Sequence, residues 1–269
     1  MLKTEMINPK TVNIDKMDTA SMIAIINEEN MNAVKAVQAV SGDIEKAVDA
    51  VTDAFSKGGR LFYMGAGTSG RLGVMDAAEC PPTFGVPKGM VVGIIAGGEK
   101  CLSAASENVE DSPTEGVEDL KKYQLNQDDV VVGLSVAGGA AYVVKALEYA
   151  KSVGATTVAI TSNEGSPVCG VADIAICPDT GAEVITGSTR MKAGTAQKII
   201  LNMLSTCAMV KRGYVYKNWM INLKPLNVKL EKRMIGIVEA ITGWNEETSR
   251  KALQENDWNI RAAVGEMIE

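Results

Sequence analysis

Apolar positions step by three and four through residues 18 to 57. Val34, Val37, Val40, Ile44, Val48, Val51 and Phe55 share one face, and Gly58-Gly59 supplies a stop. That spacing predicts helix across the stretch. The period then changes. RLFYM, MVVGIIA, VVVGLS, TTVAIT and DIAIC are short apolar runs parted by helical or loop-like segments, the pattern of strands buried on both faces of a parallel sheet. From Glu183 a long helical pattern resumes, with Ala193, Ala196, Ile200, Met203 and Leu204 on one face. Beyond Pro225 three short helical pieces follow, LEKRMIGIVEAITG, EETSRKALQEN and NIRAAVGEMIE, parted by Gly243 and the Asn256-Asp257-Trp258 turn. The pattern predicts an α/β domain over residues 1–224 and a small helical domain over 225–269.

Composition narrows the function more than the fold. The chain has 269 residues, 46% of them hydrophobic, enough for a large core. Its net charge of −6, with Lys and Arg scattered, argues against nucleic acid and anionic membrane surfaces as partners. MLKTEMINPK lacks the apolar core of a signal peptide and no apolar run is long enough to span a bilayer, so a soluble cytoplasmic protein is expected. Five cysteines without a C-x-x-C pair predict unpaired thiols, with neither a disulfide framework nor a metal site. There is no histidine. Proton transfer near neutral pH would therefore use a carboxylate, Lys, Cys or Tyr.

Three stretches carry candidate chemistry. In YMGAGTSGRLG, Gly65, Gly67 and Gly70 spell G-x-G-x-x-G after a strand-like run. A dinucleotide site would want an acidic residue at the tip of the next strand, but that tip reads Ile95-Ala96-Gly97-Gly98, with Glu99 the nearest carboxylate. Thr68 and Ser69 offer hydroxyl donors better suited to a single phosphate, and a tight turn binding nothing is the third reading. In the following helix Leu72, Met75 and Glu79 fall at steps of three and four, which predicts Glu79 on the inward face with a raised pKa, and Cys80-Pro81-Pro82 is expected to end the helix. The opposing reading is a partly exposed helix-end glutamate. Glu99, Glu107, Glu110, Asp111 and Glu115 form an acidic group in which periodicity selects no base. In GSTRMKAGTAQK, Ser188 or Thr189 can cap a helix whose first turn holds Arg190 and Lys192, an unfavourable placement unless an anion or carboxylate lies nearby.

GAGTSGRLGVMDAAECPPTFG, IAGGE, ENVEDS and EVITGSTRMKAGTAQKIILNMLST stand in one order, and together they resemble the N-acetylmuramic acid 6-phosphate etherases, cousins of the glucokinase regulatory protein within the sugar isomerase fold. The resemblance runs from about Thr4 to the end. It implies a three-layer sandwich with a five-stranded parallel sheet, a small ubiquitin-associated-like helical domain, a homodimer, and no metal or cofactor. The implied reaction removes D-lactate from N-acetylmuramic acid 6-phosphate, leaving N-acetylglucosamine 6-phosphate. The family's proton donor falls on Glu79 and its second catalytic carboxylate on Glu110. Its substrate-binding positions fall on Gly67, Thr68, Ser69, Ser135, Gly138, Ser188 and Thr189, and no nucleotide is implied. The chain departs from the family where S-A-S-G-R-T-P-Y is usual: it reads S-V-A-G-G-A-A-Y at 135–142, placing Ala137, Gly139, Ala140 and Ala141 where Ser, Arg, Thr and Pro are common. Met6-Ile7 likewise replaces a polar residue and an arginine. These changes bear on substrate affinity rather than on the fold. A phosphosugar-sensing protein without catalysis is the alternative function.

Overall fold

Alternate residues of the central strands feed two separate cores. In β1 (Leu61–Gly65), Leu61 and Tyr63 join one core while Phe62 and Met64 join the other. β2 (Val91–Ile95), β3 (Val130–Leu134), β4 (Thr156–Ile160) and β5 (Ile174–Ile176) complete a parallel sheet in the order β2-β1-β3-β4-β5. The first core is covered by α1 (Thr19–Ala39), α2 (Ser41–Ser56), α3 (Gly67–Phe84) and α8 (Lys192–Lys211). The second lies under α5 (Glu115–Lys121), α6 (Ala141–Ser152) and α7 (Pro167–Val171), and α4 (Lys100–Ser103) is a single turn. This is the expected three-layer α/β sandwich. The computed structural model describes residues 2–267 apart from Ala105, Glu107 and Leu226.

A third apolar cluster joins Ile221 and Leu223 to Met234, Ile235, Ile237 and Val238 of α9 (Val228–Thr242), Leu253 of α10 (Glu246–Glu255) and Ile260 of α11 (Ile260–Val264). Each of these three helices starts on an asparagine: Oδ1 of Asn227, Asn245 and Asn259 accepts from the backbone N–H of Leu230, Thr248 and Ala262. Among the described residues no helix is long and apolar enough to cross a membrane.

Three local expectations are corrected. The helical run 18–57 breaks at Val40, whose φ of −108° and ψ of 19° end α1 and begin α2. Pro81 and Pro82 do not stop α3, which runs on to Phe84 and ends at Gly85 in the left-handed region. A proline forgoes its own N–H bond and crowds the carbonyl four residues back, effects confined here to the final turn, and Gly85 N–H returns to Pro81 O at 2.9 Å. Finally, α8 starts at Lys192, with the segment from Glu183 crossing the end of the sheet before it.

That crossing segment is pinned by a buried charge network. Lys192 Nζ, 1% exposed, donates to Glu29 Oε2 at 2.6 Å and to Ala182 O at 2.6 Å. Asn8 Nδ2 donates to the same Glu29 oxygen at 2.8 Å, and Lys10 Nζ lies 3.2 Å from the other. Burial alone would raise the Glu29 carboxyl, but the hydrogen bonds from Lys192, Asn8 and Lys10 outweigh it and hold the group below its usual 4.5. The buried Glu183 carboxylate accepts from Lys192 N at 3.1 Å and Ala193 N at 2.9 Å, capping α8.

Removing one member of a buried ion pair strands the other charge, at about 3 kcal/mol or more. Glu29→Ala should therefore lower the free energy of unfolding in urea by at least about that much. Lys192→Met should cost less, because the half-exposed Lys10 still neutralises Glu29. Since Glu29 is depressed in the fold, its contribution is complete above pH 4.5 and fades as pH falls through the folded value. The gap between wild type and Glu29→Gln should narrow below pH 4.5; a pH-independent gap would refute the pairing.

Candidate functional site

The sheet order reverses direction at β1, which has β2 on one side and β3 on the other. The carboxyl ends of the strands beside such a reversal leave a crevice. Here it is a cleft of about 400 Å³, lined after β1 by Ala66, Gly67, Thr68 and Ser69, and after β3 by Ser135, Val136, Ala137, Gly139 and Ala140. Glu5, Glu110, Asp111 and Thr189 complete its polar wall.

Two helix N-termini open into this cleft without a side-chain cap. Ala66 holds the N-cap position of α3 and Ala140 that of α6, where Ser, Thr, Asp or Asn would ordinarily satisfy a backbone donor. The first N–H groups of both helices thus remain available to an anion, and both dipoles favour one. Close backbone packing sets the first turn: a Cβ on Gly70 would lie 2.4 Å from Gly65 O, so this G-x-G-x-x-G turn needs glycine for approach of chain to chain. No lysine or arginine lines the cleft among the described residues.

Of the residues singled out in the sequence, Gly67, Thr68, Ser69, Glu110, Ser135 and Thr189 meet here. Gly138 acts from behind the wall. Its φ is +77°, its N–H bonds Ser135 Oγ at 3.1 Å, and an added Cβ would lie 2.0 Å from Ser166 Oγ. Ser188 does not line the cleft. At the start of α8 Glu183 takes the first backbone N–H groups and Glu29 takes the Lys192 charge, so carboxylates rather than a ligand answer this turn. Glu107 lies outside the described residues.

Glu79 stands apart. The buried side of α3 carries Ser69, Gly70, Gly73, Asp76, Ala77, Cys80 and Phe84, while Leu72 is only partly buried against the first core and Met75 and Glu79 turn outward. Met75 is 43% exposed, and Glu79 is exposed beside Pro82, Thr83, Lys229 and Arg233, in a different pocket from Glu110. The buried carboxylate of α3 is Asp76, which accepts from Tyr63 Oη at 3.0 Å and from Asn202 Nδ2 at 2.6 Å.

Residues 43–151 match the glucokinase regulatory protein N-terminal SIS domain family and residues 110–206 the SIS domain family. The chain is 49% identical over 263 residues to N-acetylmuramic acid 6-phosphate etherase 2 of Vibrio parahaemolyticus, covering 98% of this chain and 88% of that protein. It is also 49% identical to the N-acetylmuramic acid 6-phosphate etherase of Yersinia pestis, over 98% and 89% of the two chains. The chain belongs to the N-acetylmuramic acid 6-phosphate etherase family. Phosphoheptose isomerases share the fold of this etherase-family chain: that of Francisella tularensis superposes with a TM-score of 0.59 at 16% identity, over 72% of this chain and all of the other. That of Neisseria gonorrhoeae gives 0.52 at 16% identity, over 71% and 98%.

One further residue of this etherase-family site escaped the sequence reading. Gln197, 1% exposed, accepts from Ser69 Oγ on its Oε1 at 2.9 Å, while its Nε2 has no partner among the described residues. A half-turn of the amide puts Nε2 on Ser69 Oγ and frees the Ser69 proton for an anion in the cleft. GTAQK carries no periodic signal for such a role, because Gln197 occupies a core position of α8. Leaving a buried donor unpaired costs stability, so Gln197→Met should leave the melting temperature unchanged or raised while weakening protection by inorganic phosphate about fivefold. A lower melting temperature with unchanged phosphate affinity would contradict this role.

Proposed function

We propose that the chain is a carbon–oxygen lyase that cleaves the D-lactyl ether of N-acetylmuramic acid 6-phosphate in the cytoplasm, giving N-acetylglucosamine 6-phosphate and D-lactate. The observation that carries the reading is the cleft itself, where two uncapped helix N-termini suited to a phosphate share one space with Glu110. The helix starts and the hydroxyls of Thr68, Ser69, Ser135 and Thr189 hold the phosphate. With the sugar opened to its aldehyde, Glu110 removes the proton beside the carbonyl, an acid protonates the ether oxygen as lactate departs, and water adds to the unsaturated product. The small helical domain, residues 225–269, stands beside this machinery as a ubiquitin-associated-like module.

The acid is Glu79, and its outward position gives the homodimer a chemical purpose. Within one chain Glu79 and Glu110 line different pockets. A symmetric dimer that brings Glu79 of the partner subunit to each cleft unites them. Glu110→Gln should stop exchange of the substrate C2 proton with heavy water, whereas Glu79→Gln should allow exchange and block lactate release. Mixing the two inactive variants under subunit exchange should then restore activity, to about a quarter of wild type, because half the dimers become hybrids with one intact site. No recovery despite hybrid formation would assign both carboxylates to one chain.

Ala137 and Ala140 line the cleft where the family commonly places hydroxyls. A hydroxyl donor to a charged phosphate contributes about 1.5 to 3 kcal/mol. Ala137→Ser with Ala140→Thr should therefore lower KM about a hundredfold or more with little change in kcat, since the phosphate is held alike in ground and transition states. An unchanged KM would move the phosphate towards Thr68 and Ser69. The match to the glucokinase regulatory protein domain favours a second reading, a phosphosugar sensor. Tight phosphosugar binding without lactate release would select it.

A further inference from the structure

Cys169 in α7 and Cys177 just past β5 place their sulfurs 3.5 Å apart, eight residues from one another along the chain. Both thiols are free and half-buried, and they line a pocket of about 430 Å³ with Asp43, Glu164 and Gly165, of which Glu164 and Gly165 are exposed. A hydroperoxide-sized oxidant can therefore reach them. Cys80 and Cys101 are buried elsewhere, and Cys207 lies alone on the exposed side of α8.

We propose that Cys169 and Cys177 form a redox-modification site, which a hydroperoxide closes to a disulfide and which thereby displaces the loop 135–140 of the cleft. In the first step Cys169 sulfur attacks a peroxide oxygen, the O–O bond breaks, and a sulfenic acid and one water result. In the second, Cys177 sulfur attacks the sulfenic sulfur and expels hydroxide, which takes the Cys177 proton and leaves as a second water. Two thiols lose two electrons and two protons; the peroxide is reduced to two waters. Burial and the adjoining Cys169 push the Cys177 thiol up to about 12, which suits it to keep its proton until the second step.

The fold carries the change to the cleft. A disulfide bond is about 2.05 Å long, so the sulfurs must approach by about 1.5 Å. β5 is held in register on β4, with Ile176 O accepting from Thr161 N at 3.1 Å, whereas Cys169 sits on a helix of five residues. The movement therefore falls on α7. Val168 N–H in that helix donates to Gly138 O at 3.0 Å, and Gly138 packs directly on Ser166 with no room for a side chain. Gly138 in turn holds Ser135 Oγ, which faces the cleft.

The test uses the full chain carrying Cys207→Ser, treated with hydrogen peroxide and then with dithiothreitol. Mass spectrometry should find a peptide pair joined through Cys169 and Cys177 with the loss of two hydrogens (about 2 Da), restored by reduction. Hydrogen exchange at the Gly138 and Val168 amides should rise about tenfold in the oxidised form. In Cys177→Ser the sulfenic acid on Cys169 should persist and be captured by dimedone. Failure of the link to form, or overoxidation of Cys169 without it, would overturn the site. A link that leaves exchange over 135–142 unchanged would overturn the coupling. These readouts are independent of lactate release, so they stand apart from the assignment of the reaction.

Discussion

A lysine ammonium buried to 1% exposure is tolerable only where its charge is met at once, and Lys192 is met by Glu29 and by Ala182 O. The residues recruited to do this come from four places: Asn8 and Lys10 of the N-terminal segment, Glu29 of α1, Ala182 of the crossing segment and Lys192 at the head of α8. None of them lines the cleft, yet two cleft residues depend on them. Glu5 precedes Asn8 by three positions, and Thr189 lies between Ala182 and Lys192, with Thr189 O accepting from Gly194 N at 3.0 Å. The ion pair therefore closes one side of the site by fixing two strips of irregular backbone that have no sheet partner. Such a pair adds little net stability over a well-packed apolar one. Its effect is to select a single path for both strips.

The same economy of charge governs the cleft. With no cationic side chain among its described lining residues, the cleft can attract an anion only through backbone N–H groups and hydroxyls. Those donors are fixed to α3 and α6, which are anchored in the two cores on either side of the sheet. A phosphate gripped by rigid elements leaves the rest of a sugar free to meet Glu5, Glu110 and Asp111 at the rim. An arginine there would offer these carboxylates a cationic partner. Gly139, where the family commonly has arginine, leaves them uncommitted.

Much of this was legible in the sequence, and the gaps have physical causes. The five apolar runs became five strands because continuous burial needs continuous hydrophobicity, and the asparagine-led C-terminal helices followed their period. The GAGTS and SVAGG loops met as expected because consecutive loops at a sheet reversal share one end of the strands. Of the two readings of Glu79 the exposed helix-end glutamate holds, because α3 buries small residues, Gly70, Gly73 and Ala77, against the sheet while Leu72 is only partly buried and Met75 is exposed. A hydrophobic stripe reports burial only when the neighbouring element leaves room for it. The basic first turn of α8 called for an anion or a carboxylate, and Glu183 supplies a carboxylate cap from nine residues before Lys192; Gln197 gave no signal, since an amide in a core position is defined by tertiary contact.

A chain without histidine has to perform any proton chemistry with groups whose ordinary values lie far from neutrality, and burial has removed several of them. Desolvation and the nearby Asp76 charge drive Tyr63 far above its usual range, and desolvation does the same to Tyr142, assisted by Asp119. Cys80 is pushed up to about 12, first by burial and then by Asp76. These side chains stay protonated and serve packing. What remains at the cleft are carboxylates on an exposed 3-10 turn, Glu110 and Asp111, which follows Asn108 at a φ of +63°. A carboxylic acid that must donate is favoured by desolvation, and in the proposed mechanism the exposed Glu79 is covered by the partner subunit. On the reading proposed above, base and acid call for opposite environments, and the outward face of α3 meets the second through association.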